Sequence, residues 1–435
     1  MIKVNIFWFR RDLRLQDNVG FYKALNGKFP VLPIFIFDIE ILEQLPKEDA
    51  RVTFIFETLQ VLRKELQTHE SSLAIYYGKP IAIFSEIISK FEVQNVITNH
   101  DYEPYAIKRD TAITKFLSEN KIGFYTFKDQ VIFEKNEVVK DDGDPYVVYT
   151  PYSKKWLEHL DMAKDLKNYD ISEKLHHLHK ESSLPNVTLE EMGFQTSPIK
   201  VKPYIISEKT LENYKNTRNF PSNEQGTSHL SPHLRFGTVS IRQLVANAMQ
   251  AKDQTFLKEL IWREFFMQIL WHFPKTVTHS FKPKYDRIVW RNIESEFNAW
   301  KEGKTGYPFV DAGMRELNET GYMHNRVRMI VASFLSKHLL IDWRWGEAYF
   351  AEKLLDYEQS SNIGNWQWAA GSGVDAAPYF RIFNPTSQIE KFDKNLEYIH
   401  QWVPEYGTAN YPKPIVEHKE ARERCLSVYK KALTN

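Results

Sequence analysis

Glu259, Trp262 and Arg263 stand at i, i+3 and i+4, a spacing that puts all three on one face of a helix. One reading is an acid, a flat stacking surface and a cation aimed at one substrate. The other is a Glu259–Arg263 surface pair beside a core tryptophan. From Phe256 to Arg291 there are seven Lys or Arg against three Asp or Glu, with Trp262, Trp271 and Trp290 interleaved. A local basic surface with aromatic platforms suits nucleic acid. Asn325 and Met329 are again i, i+4, beside Arg326 and Arg328. Asp356, Glu358, the turn Asn362–Asn365, Trp366-Gln367-Trp368 and a glycine-rich run leading to Arg381 follow. Such a density of Asn, Gly, Trp and Arg is unusual for simple packing and marks a site.

Other chemistries are not supported. The first apolar run is followed by Arg10-Arg11-Asp12-Leu13-Arg14 and not by glycines, so no dinucleotide or triphosphate loop of the usual kind is expected there. That charged run reads on physics alone as a solvated stretch. His176, His177 and His179 lie close together without a cysteine or paired carboxylate, so a solvated polar segment is expected and no metal site. Cys425 is the sole cysteine, which rules out an internal disulfide or a thiolate cluster. The net charge is +1, and residues 1–130 hold 17 basic and 17 acidic residues of totals of 57 and 56, so bulk charge carries no sign of a nucleic-acid partner. No apolar run is long enough to span a membrane and the first dozen residues are charged, so no membrane partner and a cytoplasmic protein are expected.

The elements that must position these residues fall into two kinds. Apolar runs at Val4–Phe9, Val31–Phe37, Leu73–Tyr77, Val96–Thr98 and Phe124–Phe127 alternate with helical spacing at Ala50–Leu66, Pro80–Phe91 and Tyr105–Leu117. That alternation predicts an α/β domain over 1–130, a doubly wound, Rossmann-like parallel sheet buried on both faces. Residues 131–200 read as a polar connection with a turn at Asp141–Pro145. From 201 to 435 the period is helical, with long amphipathic patterns at Phe256–Phe273 and Met323–Leu340, so a large all-α domain is expected.

At this point the chain resembles the photolyase/cryptochrome family, specifically its class I bacterial cyclobutane pyrimidine dimer enzymes. The resemblance rests on FWFRRDLRLQDN at 7–18, GTSHLSPHLRFG at 226–237, ELIWREF at 259–265 and KTGYPFVDAGMRELNETGYMHNRVRM at 304–329. It continues through IDWRWGE at 341–347, NWQWAAGSGVDAAPYFRIFNP at 365–385 and YPKPIVEHKEAR at 411–422. It implies FAD, active in its reduced form, held by Tyr214, Thr227, Ser228, His229, Leu230, Ser231, Arg328, Asp356, Glu358 and Asn362. The Thr227–Ser231 run would carry the diphosphate at a helix start, and Asn362 would hydrogen-bond flavin N5. It implies a pocket for a flipped-out dimer formed by Glu259, Trp262, Asn325, Met329 and Trp368, with Trp262 and Trp368 sandwiching the pyrimidines. Glu259, Asn325 and Asn362 are the implied catalytic residues. Glu259 would have to be protonated, through desolvation in a mostly apolar pocket. Arg218, Arg263, Arg326 and Arg381 match positions beside the backbone of double-stranded DNA. Trp290, Trp343 and Trp366 match a tryptophan chain that reduces the flavin with light. The resemblance to this class also implies a monomer.

Within the family, Asn325 followed by Met329 matches cyclobutane-dimer enzymes, since (6-4) enzymes carry a paired histidine at that point. The absence of a low-complexity extension after the EHKEAR run at 417–422 favours repair over blue-light sensing. Glu358 and Ile363 depart from the common pattern. The second, antenna chromophore is left open. Tyr105-Ala106 and Val277-Thr278 replace the usual folate contacts, and Glu103-Pro104-Tyr105 is closer to the pattern seen with a deazaflavin or flavin mononucleotide.

Overall fold

The computed structural model describes residues 1–434, in two compact units. The first comprises Met1–Glu134, Leu160–Lys202 and Leu230–Gln250. The second comprises Lys135–His159, Pro203–His229 and, among the described residues, 251–434. The stretch 131–200 is thus shared between them, and it contains a helix, Tyr149–His159.

The first unit is built on five parallel strands, β1 (Lys3–Phe9), β2 (Val31–Asp38), β3 (Ala74–Gly78), β4 (Glu92–Asn99) and β5 (Gly123–Phe127), in the order β3-β2-β1-β4-β5. Their period of two divides the side chains. Val4, Ile6 and Trp8 pack with Ile83, Phe84, Ile113 and Leu117 from the helices Pro80–Lys90 and Pro104–Glu119. Phe7 and Phe9 pack on the opposite face with Leu59, Leu62 and Leu66 of the helix Ala50–Gln67. Two helix-covered faces explain why the strands read as unbroken apolar runs.

The charged run after β1 is a network, which corrects the expectation of a solvated stretch. Arg10 reaches Asp110 at 2.6 Å, Arg14 reaches Asp129 at 2.7 Å, and Arg242 reaches Asp129 at 2.9 Å. Asp12 is buried and accepts the Arg10 N–H at 2.7 Å. Ion pairs this buried are expensive to break singly. His179 is also not solvated: it is 7% exposed and meets the ring of Phe91 edge-on. Among the described residues no cluster of three potential metal ligands occurs, and no helix is long and apolar enough to cross a membrane.

The second unit is helical. Its core gathers Trp300, Phe309, Val327, Phe334, Trp343, Phe350 and Trp366. One long amphipathic pattern becomes the helix Thr255–His272. The other is an α-helix only over Asn325–Ser333 and continues as a π-helical turn, Phe334–His338. Gly346 sits where a Cβ would lie 2.1 Å from Trp366 and 2.5 Å from Leu335. Gly346→Ala is therefore expected to cost about 1–3 kcal/mol through overpacking, read as a lowered melting temperature. An unchanged melting temperature contradicts this packing.

Candidate functional site

The helix Thr255–His272 buries Phe256, Leu257, Leu260, Ile261 and Phe265 and leaves Glu259, Trp262 and Arg263 partly accessible. Those three do not converge on one another. Glu259 pairs with Arg218, the C-cap of the helix Glu208–Thr217. Trp262 lies flat on Tyr149, with ring centroids 3.7 Å apart and planes 6° apart. Arg263 turns inward to Glu358, Nε to Oε2 at 3.2 Å, with its side chain only 12% exposed. Arg263 was expected beside DNA; in the structure a carboxylate of the interior engages it.

The Glu259 surroundings also differ from expectation. A charged partner, not an apolar wall, meets this carboxylate. Burial alone would lower the Arg218 guanidinium, but the charge and hydrogen bond of Glu259 override that and hold it above its usual value. The Arg218 guanidinium also lies over the Tyr214 ring at 5.4 Å.

A pocket of about 100 Å³ opens beside these groups. Asn325, Arg328, Met329, Asp356, Glu358, Asn362, Trp366 and Trp368 all line it. The side chain of His324 caps the Asn325–Ser333 helix by accepting the Arg326 N–H at 3.1 Å. That start aims Asn325 and Met329, one turn apart, the same way. Arg328 grips Asp356 with two bonds of 2.8 and 3.1 Å, the fork geometry that guanidinium and carboxylate share. Burial pulls the Arg328 guanidinium down, yet Asp356 lifts it above its ordinary value. Asn362 is 8% exposed and donates to Glu347 Oε1 at 2.9 Å. Arg326 donates to Asn219 at 2.6 Å and lies 4.4 Å above the Phe392 ring, while Arg381 is exposed.

The remaining cofactor candidates divide. Thr227 and His229 meet Tyr322, Thr227 through a hydrogen bond and His229 by ring contact at 5.4 Å. Ser228 accepts the Ile205 N–H through its backbone oxygen at 2.8 Å. Leu230 and Ser231 fall in the first unit, where Ser231 opens the short helix Ser231–Phe236.

Trp343 and Trp366 are 1% and 2% exposed, and Trp290 is half-buried and packs against their core. The indole N–H groups of Trp343 and Trp366 have no hydrogen-bond partner.

The lining fits FAD. One wall is ionic and hydrogen-bonding (Arg328, Asp356, Glu358, Asn362) and the other is apolar and aromatic (Phe350, Leu354, Trp366, Ala369). A planar heteroaromatic ring with a polar edge needs both. The buried Nε2 of His324 has no partner. Burial, then the charges of Arg328, Arg326, Arg218 and His229, push His324 down to about 3. It is neutral, and because Nδ1 accepts a hydrogen bond the proton is assigned to Nε2, a free donor in a cationic setting.

Sequence reasoning missed three residues of this site. Glu347 orients the Asn362 amide, Tyr322 joins Thr227 to the Arg328 region, and Tyr149 backs Trp262. Tyr322 and Glu347 lie within motifs that stood out, but spacing along one helix finds only partners on that helix. Tyr105, in the first unit, donates to Asp38 Oδ2 at 2.6 Å with Arg109 5.9 Å from its ring.

Comparison with known proteins gives a consistent picture. The family model described as "DNA photolyase" matches residues 5–170, and that described as "FAD binding domain of DNA photolyase" matches 256–410. A curated relative from Halobacterium salinarum, named deoxyribodipyrimidine photo-lyase, is 35% identical, with 99% of each chain covered. The crystal structure of a class III photolyase from Agrobacterium tumefaciens is 34% identical with a TM-score of 0.89, covering 100% of this chain and 98% of that one. An archaeal photolyase from Sulfolobus tokodaii, solved with two FAD molecules, is 35% identical with a TM-score of 0.83, covering 98% of this chain and 100% of that one.

Proposed function

This chain belongs to the DNA photolyase family, FAD-binding enzymes of DNA repair, and from that premise we propose that it repairs cyclobutane pyrimidine dimers in double-stranded DNA with blue light. The observation that carries this reading is the convergence of Asn325, Met329 and Trp368 with the Arg328–Asp356 pair and Asn362 around one pocket.

Reduced FAD, when bound, would supply light-driven one-electron chemistry for opening the two cyclobutane carbon–carbon bonds, with no net redox change. The protein's own groups do the rest. Arg328 and Asp356 would hold the flavin, and Asn362, oriented by Glu347, would hydrogen-bond it and favour its reduced form. A dimer swung out of the duplex enters between Trp368 and the exposed side of Trp262. Asn325 meets its polar edge. Glu259, paired with Arg218 in the free protein, stands at the carbonyl edge of the dimer, and Arg218 stands towards the backbone. Arg326 and Arg381 fix the register on the backbone without reading sequence. The active species is a cytoplasmic monomer. Tyr105-Ala106 and Val277-Thr278 stand in place of the usual folate contacts, which leaves a deazaflavin, a flavin or no second chromophore at all.

Trp262→Ala is expected to weaken binding of dimer-containing DNA by about 1–3 kcal/mol, the scale of one stacked base, with undamaged DNA unaffected. Unchanged lesion affinity removes Trp262 from the pocket. A blue-light sensor on the same fold is the second reading, favoured only if flavin binds and lesion preference is absent.

A further inference from the structure

Tyr149 opens the helix Tyr149–His159, in the polar stretch that sequence reading left without a role. It is 8% exposed, while Trp262 is half-buried. Its ring covers one face of Trp262 at 3.7 Å, nearly parallel. Its hydroxyl donates to the backbone oxygen of Lys258 at 2.8 Å, on the helix that carries Glu259 and Trp262. Its backbone N–H donates to Asp375 Oδ2 at 3.2 Å. Asp375 lies between Gly371 and Arg381, in the loop that follows Trp368, and adopts a left-handed φ of 44°. Phe265 closes the fourth side, edge-on at 5.9 Å. Burial, then the nearby Glu259 charge, push the phenol above its ordinary value, so it remains a neutral donor.

Tyr149 therefore touches three parts of the pocket: its ring lies on Trp262, its hydroxyl bonds to the backbone beside Glu259, and its backbone N–H bonds to the loop that leads to Arg381. We propose that Tyr149 is a positioning residue for the lesion pocket, fixing the Trp262 ring from behind before DNA arrives. This rests on the dimer pocket proposed above. Two consequences follow from the geometry. With Tyr149 on one face of Trp262 and the Phe266 ring 5.5 Å away at 29°, a dimer has only the remaining surface of Trp262 to meet. Because the ring is already held, ordering it on binding costs little, which raises affinity for an extruded base without touching the DNA backbone.

The test uses the full-length protein with FAD bound and chemically reduced, titrated with a thymine-dimer duplex and with its undamaged counterpart. Tyr149→Leu is expected to bind the dimer duplex roughly two- to tenfold more weakly, the range of one aromatic pair, and to repair less per absorbed photon at saturating DNA. Its FAD content and its affinity for undamaged duplex stay at the wild-type level. Tyr149→Phe keeps the stack and restores most of the lesion affinity. If Tyr149→Leu loses its flavin, Tyr149→His replaces it, and its lesion affinity is expected between those of wild type and Trp262→Ala. Wild-type lesion affinity in Tyr149→Leu or Tyr149→His, equal weakening toward both duplexes, or no rescue by Tyr149→Phe each overturns the assignment alone. A wild-type protein without preference for the dimer overturns the pocket itself and the assignment with it.

Discussion

Trp290→Phe is expected to slow light-driven reduction of oxidised FAD by tenfold or more, equivalent to about 1.4 kcal/mol or more on the barrier, while repair by chemically reduced enzyme stays near wild type. Trp343 and Trp366 lie inside the helical core, and Trp290 is its half-buried outer neighbour. Phenylalanine is much harder to oxidise than tryptophan, so in the proposed chain the substitution removes the half-buried member that an external electron donor would reduce. Trp290 packs against the helical core from its half-buried edge and meets Tyr429 edge-on at 6.2 Å, and phenylalanine keeps part of that contact. Bleaching of the flavin band under blue light reads the first effect, and single-turnover repair after chemical reduction reads the second. Equal loss of both means that Trp290 supports the flavin site and not electron supply.

Arg328→Met should release FAD. Asp356 is 4% exposed, and its guanidinium partner makes two short bonds to it. Removing one partner of a buried pair leaves the other charged and unpaired, which costs about 3–5 kcal/mol. The Arg328 side chain is 25% exposed, so water returns some of that and the lower end is expected. The purified variant should carry little flavin absorbance and melt at a lower temperature. The double variant Arg328→Met with Asp356→Asn should be less damaged than the sum of the two single variants, since residues in one pair do not add. Full flavin retention in Arg328→Met excludes the pair from the cofactor site.

The fold was legible where periodicity is strong. The runs predicted at Val4–Phe9 and Val31–Phe37 are the strands Lys3–Phe9 and Val31–Asp38, and the parallel sheet followed from their alternation with helices. Val96–Thr98 understated β4, Glu92–Asn99, because Glu92, Gln94 and Asn95 break its apolar pattern. The charged run after β1 was misread because its partners, Asp110 and Asp129, lie about a hundred residues away. At the site, family motifs pointed to Arg328, Asp356 and Asn362, which line one pocket in the structure. Side-chain direction was not legible. Glu259, Trp262 and Arg263 share a helix face by spacing, yet each is drawn to a different partner from elsewhere in the chain: Arg218, Tyr149 and Glu358. Helical spacing places Cβ atoms; long-range partners decide where the ends of long side chains go.

The most direct test of the central claim gives chemically reduced protein a thymine-dimer oligonucleotide under blue light and in darkness. The expected result is restored thymine in the light alone, with a (6-4) lesion left unrepaired under the same lamp. Bound flavin with no thymine restored in the light contradicts dimer repair and returns the pocket around Asn325, Met329 and Trp368 to an unassigned ligand.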